Sequence, residues 1–100
     1  MATHLRRLVT VVTEANLERS LLDDLERLGA RGWTITDARG RGARGRRTSG
    51  WEQDGNIRVE VVCDPELAEK LVQHLRARYY DHYAMIVFLH DVEVLRPDKF

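Results

Sequence analysis

The sequence predicts an α+β domain in which one antiparallel sheet carries two helices on one face. Three observations point to it. Runs of β-branched residues alternate with leucine stripes in the order strand, helix, strand, strand, helix, strand. The first and last strands are apolar on both sides, so the sheet is to be covered on both faces. Between the second and third strands lies a long segment, residues 39–54, that is almost devoid of apolar residues.

Residues 4–13 form the first strand, through Leu8-Val9-Thr10-Val11-Val12-Thr13. Asn16 is the predicted N-cap of the first helix. Leu17, Leu21, Leu25 and Leu28 recur along one side of that helix, with Leu22 beside them. Glu18, Arg19, Asp23, Asp24, Glu26 and Arg27 take the other side, and Gly29 and Gly32 offer stops. Residues 33–38 form the second strand. The third, residues 56–63, sends Ile57, Val59, Val61 and Cys63 one way and Arg58 and Glu60 the other. Asp64-Pro65-Glu66 is a strong helix start: an N-cap, a proline at the first helical position, then a carboxylate at the positive helix end. Leu67, Ala68, Leu71, Val72 and Leu75 stripe that second helix. An aromatic link, residues 79–82, leads to the fourth strand, which starts at Tyr83 and runs on through Val92-Glu93-Val94-Leu95, and Pro97 ends the ordered chain.

This is the split βαβ pattern of a ferredoxin-like βαββαβ sandwich, with the first and last strands expected to pair at the centre. Residues 1–100 are read as one domain with a short tail over 96–100. A chain this short buries only about 60–65% of its unfolded surface. The second sheet face lacks a cover, so packing against further copies of the chain is expected.

The composition is that of a globular protein, 43% apolar and 32% charged, and no apolar run is long enough to span a membrane. The first residues lack the apolar stretch of a secretory signal, so a cytoplasmic location is expected. Cys63 is the one cysteine and reads as a small buried apolar residue; a disulfide within the chain and a cysteine-based zinc cluster are excluded. His4, His74, His82 and His90 share no ligand spacing, so no metal site is expected, and His74 is placed on the solvent side of its helix. Asp23 and Asp24 are adjacent and point apart, so they are no acid/base pair. No serine or cysteine has a nucleophile's setting. Trp33 is read as packing, and Trp51 as either packing or partner contact.

Net charge is zero, yet fourteen of the sixteen basic residues are arginine, and Arg39, Arg41, Arg44, Arg46 and Arg47 fall within nine positions. Guanidinium forks suit phosphate oxygens. Gly40, Gly42, Gly45 and Gly50 allow the backbone to approach an anion closely, and Thr48 and Ser49 add neutral donors. From composition, three uses stay open: a phosphate-bearing ligand, a nucleic acid, or a merely solvated loop. The P-loop and Rossmann patterns are absent.

Two stretches, Gly40, Gly42, Arg44, Arg47, Ser49 and Gly50 in the loop and Tyr79-Tyr80-Asp81-His82-Tyr83-Ala84 before the last strand, resemble the PII-like signalling proteins of bicarbonate uptake and carbon concentration. The resemblance spans residues 5–95 and is nearest the carboxysome-associated PII proteins (CPII) and the SbtB group. It implies a homotrimer with nucleotide sites in intersubunit clefts, the loop being the mobile T-loop, about residues 40–55. It implies phosphate contacts from Arg44 and Arg47, a backbone cradle at Gly40, Arg41 and Gly42, and an adenine neighbourhood of Thr34, Val62, Ala84, Met85 and Ile86. Arg41, Arg44, Arg46 and Ser49 are the implied bicarbonate contacts. The expected ligands are ADP, AMP, ATP or cyclic AMP, with bicarbonate alongside and no cofactor. No tyrosine stands in residues 39–50, so the uridylylation site of nitrogen-type PII proteins has no counterpart, nor does their lysine-rich phosphate site. The SbtB group's cysteine-containing C-terminal extension has none either, which favours the carboxysome-associated branch.

The resulting expectation is a non-catalytic regulator of inorganic-carbon uptake or metabolism. Its partner would be a bicarbonate or other anion transporter, its membrane association indirect only, and nucleic acid no partner. The rivals are an arginine-glycine nucleic-acid module, which lacks interleaved aromatics, and a weak nucleotide-hydrolysing enzyme, which lacks an acid/base pair.

Overall fold

A computed structural model of the chain describes residues 2–42, 45–46 and 55–100, with 41, 42, 45 and 46 described by their backbone alone. The order is β1 (His4–Glu14), α1 (Glu18–Leu28), β2 (Thr34–Ala38), β3 (Arg41–Gly42), β4 (Gly45–Arg46), β5 (Asn56–Cys63), α2 (Pro65–Tyr79) and β6 (Ile86–Val94). Four strands form one antiparallel sheet in the order β2-β5-β1-β6. The ferredoxin-like α+β fold expected from the sequence is present.

The placing of the last strand is corrected. It pairs with β1 as expected, but it lies at the edge, and the central strands are β5 and β1. Charge explains the difference. β6 carries Asp91 and Glu93 in its second half and none of its residues is buried, a pattern suited to an edge. It also starts later than expected, at Ile86, because residues 80–83 form a turn on the end of α2.

Alternation along the strands decides which side chains form the core. Val9 and Val11 of β1 face the helices with Ile57, Val59 and Val61 of β5, each at most 2% exposed. Leu21 and Leu25 of α1 and Leu71 and Leu75 of α2 close over them. Each such leucine contributes about 1.5–3 kcal/mol by leaving water.

Helix ends follow local chemistry. Asp64 caps α2, its Oδ1 accepting from the Leu67 N–H at 2.8 Å. Asn16 does not cap α1: a 3-10 turn over Ala15–Leu17 precedes the helix, and Leu17 stands at the N-cap without a side-chain bond. The Ala15 N–H donates to the Gly55 carbonyl at 3.1 Å, which ties the turn to the strand opposite and buries Leu17. At the other end Gly29 stops α1 in the left-handed region at φ 101°, and Ala30 N–H reaches back to the Leu25 carbonyl at 3.0 Å. A Cβ at Gly29 would meet nothing within 4 Å, so Gly29→Ala costs conformational energy alone. We expect a loss of about 1–2 kcal/mol, measured by urea unfolding.

The tail is also corrected. Order continues past Pro97 into a 3-10 turn, Pro97–Lys99. Arg6 donates to the Pro97 carbonyl at 3.3 Å and Arg31 to that of Asp98 at 2.9 Å, which holds it down.

Candidate functional site

The side chains facing away from the helices come from every second strand residue. Thr34 on β2 stands opposite Glu60 on β5, Glu60 opposite Thr10 on β1, and Thr10 opposite Phe88 on β6. By the same alternation Arg6, Leu8, Val12, Val62, Ile86 and Val92 share this face, opposite to the one on which α1 and α2 pack; Thr10 at its centre is fully buried, and the Pro97–Lys99 turn reaches Arg6 on the same side. Thr34, Val62 and Ile86, three of the residues singled out from the sequence, therefore lie on one surface. They are not brought together within one protomer. Thr34 and Ile86 belong to opposite edge strands, three strand spacings or roughly 14 Å apart.

Met85 behaves differently. It faces the helix side and is 7% exposed in the core, so any approach to it from the open face is to its backbone. Ala84 is exposed, and Ile86 is 41% exposed. Gly40 is exposed just past β2. Arg41 and Gly42 pair with Arg46 and Gly45 as a small antiparallel hairpin inside the segment read as unstructured loop. Arg44, Arg47 and Ser49 lie outside the described residues.

The link into β6 is tightly held. The Tyr79 carbonyl accepts from the N–H groups of both His82 and Tyr83, each at 3.0 Å. The Tyr79 and Tyr83 rings tilt together with centroids 6.0 Å apart. The Tyr80 hydroxyl accepts from the Val87 N–H at 3.2 Å, so an edge donor of β6 is occupied from within the chain.

Sequence reasoning missed the polar cluster between the helices. Asp24 is 1% exposed on α1. Its Oδ1 accepts from Arg27 at 2.6 Å and from Arg78 at 2.8 Å. Its Oδ2 accepts the Tyr79 hydroxyl at 2.5 Å and lies 3.0 Å from His74 Nε2. Burial pushes the Asp24 carboxyl up, but the hydrogen bond from Tyr79, the His74 imidazole 3.0 Å away, the bond from Arg27 and the Arg78 charge outweigh it and hold the group below 3.8. The Tyr79 hydroxyl is pushed up, first by burial and then by its bond to Asp24. The helical wheel held the signal: Asp24 stands seven residues after Leu17 and four before Leu28, on the apolar stripe itself. His74 is corrected accordingly: it is half-buried against Asp24 rather than turned to solvent.

Cys63 is buried as expected, and its thiol is pushed up to about 11 by burial and by the nearby Asp64 charge, against the opposing pull of Arg7. At neutral pH it is a thiol. Among the described residues no cluster of His, Cys, Asp or Glu could hold a metal ion, and no helix is long and apolar enough to cross a membrane.

Comparison with known proteins decides the family. Residues 6–99 match the family described as Nitrogen regulatory protein P-II. The chain belongs to the P-II family. A solved PII-like signalling protein of Thermus thermophilus is 43% identical over 100% of this chain and 99% of that one, with a TM-score of 0.85. CPII of Thiomonas intermedia, a nitrogen regulatory PII-like protein solved with ADP, AMP and bicarbonate, is 25% identical over 99% of this chain and 96% of that one, with a TM-score of 0.88. The same CPII solved with ADP and bicarbonate gives a TM-score of 0.87 at 25% identity, over 99% of this chain and 97% of that one. The resemblance read from the loop and the aromatic link is thus shown for the P-II chain as a whole.

Proposed function

We propose that this P-II family chain is a non-catalytic sensor that assembles as a homotrimer and binds adenine nucleotide in the clefts between subunits. The nucleotide is of the ADP, AMP, ATP or cyclic AMP class, and bicarbonate is a second ligand. One observation carries the reading: Thr34 and Ile86 share the sheet face turned away from α1 and α2 yet occupy its opposite edges. A single protomer cannot close both around one base, whereas two copies set edge to edge can. Leu8, Val12, Val62, Phe88 and Val92 give that face the apolar content a subunit contact needs.

In this reading Thr34, Val62, Ala84, Met85 and Ile86 surround the base. Gly40, Arg41 and Gly42 cradle the phosphates, which Arg44 and Arg47 bind through charge-assisted bonds. Arg41, Arg44, Arg46 and Ser49 take bicarbonate. The ligand set seen with Thiomonas CPII supports the choice of ligands. Ligand binding shifts the loop population by its differential affinity for the loop's states, and the loop governs a bicarbonate or related anion transporter from the cytoplasm, so that inorganic-carbon uptake follows the nucleotide pool.

Isothermal calorimetry with AMP, ADP, ATP and cyclic AMP, each with and without bicarbonate, tests this directly. Saturable binding of at least one nucleotide is expected; silence from all four at millimolar concentration rejects the proposal. Light scattering on the same samples is expected to give three times the mass of one chain.

A further inference from the structure

The proposed base pocket is supplied by the short connection between α2 and β6, and that connection hangs on one residue. Tyr79 is the last residue of α2 and is 2% exposed. Its carbonyl holds the N–H groups of His82 and Tyr83, and its ring holds the Tyr83 ring. Its hydroxyl is itself fixed between two groups of α1: it lies 2.7 Å from Ser20 Oγ and donates to Asp24 Oδ2 at 2.5 Å. Arg78 braces the same point, donating to Asp24 Oδ1 and, at 3.2 Å, to Ser20 Oγ, with its guanidinium carbon 5.4 Å from the Tyr79 ring centre.

Packing alone does not require this hydroxyl. A phenylalanine ring would fill the same space in the core, and burying a tyrosine hydroxyl costs free energy unless it is bonded. Here it is bonded to a carboxylate that is itself fully buried, which fixes the position of the ring as well as its depth. Beyond Tyr83 the chain runs directly into Ala84, Met85 and Ile86, and the Tyr80 hydroxyl pins the far end at Val87.

We propose that Asp24 and Tyr79 are positioning residues for the base-binding segment: the buried Asp24–Tyr79 bond sets the place of residues 82–86 and so controls affinity for the adenine end of the ligand, from the opposite side of the sheet. This rests on the nucleotide reading given above. It assigns to the helix pair a share of ligand selectivity, separate from the arginine loop that takes the phosphates.

The test is Tyr79→Phe, which keeps the ring and removes the bond. Two probes are titrated by calorimetry into wild type and variant: ADP, which carries a base, and inorganic pyrophosphate, which does not. Amide hydrogen exchange over residues 82–87 is measured without ligand. ADP affinity is expected to fall roughly tenfold, since only part of the energy of an internal bond to a charged group is returned as affinity, with pyrophosphate affinity unchanged and exchange over 82–87 accelerated. Equal ADP affinity in both proteins overturns the inference, as does an equal loss of ADP and pyrophosphate, or unchanged exchange over 82–87. A wild-type protein that binds no nucleotide removes the nucleotide reading instead, and the exchange result still decides whether the bond holds the segment. Should Tyr79→Phe not fold, Asp24→Asn weakens the same bond from its other end by removing the carboxylate charge. The same split between ADP and pyrophosphate is then expected, and its absence rejects the inference.

Discussion

Asp24→Ala is expected to lower stability by about 2–4 kcal/mol, the largest loss from any single polar substitution proposed for this chain. The carboxylate is 1% exposed and receives donors from Arg27, Arg78 and Tyr79, with His74 3.0 Å away. A bond to a charged group contributes about 1.5–3 kcal/mol. The four contributions do not add. The Arg27 and Arg78 side chains are 68% and 46% exposed, so solvent screens them and rehydrates them once the carboxylate is gone. The Tyr79 hydroxyl is buried and keeps only Ser20. Losing the cost of burying the charge offsets part of the damage. For a domain of this size the melting temperature should fall by roughly 10–25 °C, compared at equal protein concentration because an oligomer's melting point depends on it.

The same residue gives a pH signature. Its folded-state carboxyl lies below the ordinary 3.8, so its contribution is complete above that value and is lost as pH falls through the lower, folded one. Wild-type stability should therefore drop below about pH 4, and Asp24→Asn should flatten that limb. Urea midpoints at half-unit pH steps measure both. An Asp24→Asn profile parallel to wild type below pH 4 would show that the carboxyl titrates alike in both states.

How much of this was legible beforehand differs between residues for physical reasons. The strands, both helices, the Asp64 cap and the buried side of β5 follow from short-range rules, in which each residue acts on neighbours within one turn or one pleat. The edge position of β6 depends on which strand pairs with which, and its Asp91 and Glu93 carried that information in the sequence. Asn16 failed as a cap because the Ala15 bond to Gly55, forty residues on, sets the chain's course into α1. Asp24 was misread because a helical charge is ordinarily solvated, and only the partners on α2, fifty or more residues later, make its burial tolerable. The candidate site shows the same division. Thr34, Val62 and Ile86 could be put on one face from alternation alone, but that Thr34 and Ile86 stand at opposite edges is a matter of strand order.

Removing both Arg44 and Arg47 is expected to abolish nucleotide binding in practical terms. Each guanidinium bonded to a phosphate oxygen is worth about 1.5–3 kcal/mol, so either single alanine substitution should weaken binding roughly 10- to 150-fold. In the proposed site the two act on one phosphate group and are not independent, so the double variant should fall on the order of 10³-fold, short of the full product of two strong contacts. Because the proposed interaction is between charges, the loss should be greatest at low ionic strength and shrink as salt rises. Arg19→Ala serves as the control, since Arg19 is exposed on α1 and its loss changes the net charge by the same amount. If the effect came from overall charge, the control would weaken binding as Arg44→Ala does, and the contact would be refuted. If the arginines bind phosphate directly, lysine at position 44 should restore only part of the affinity, since its ammonium supplies the charge without the planar, two-pronged donor set. Binding by the double variant within twofold of wild type would mean that the phosphates are held elsewhere, and the loop would lose its place in the site.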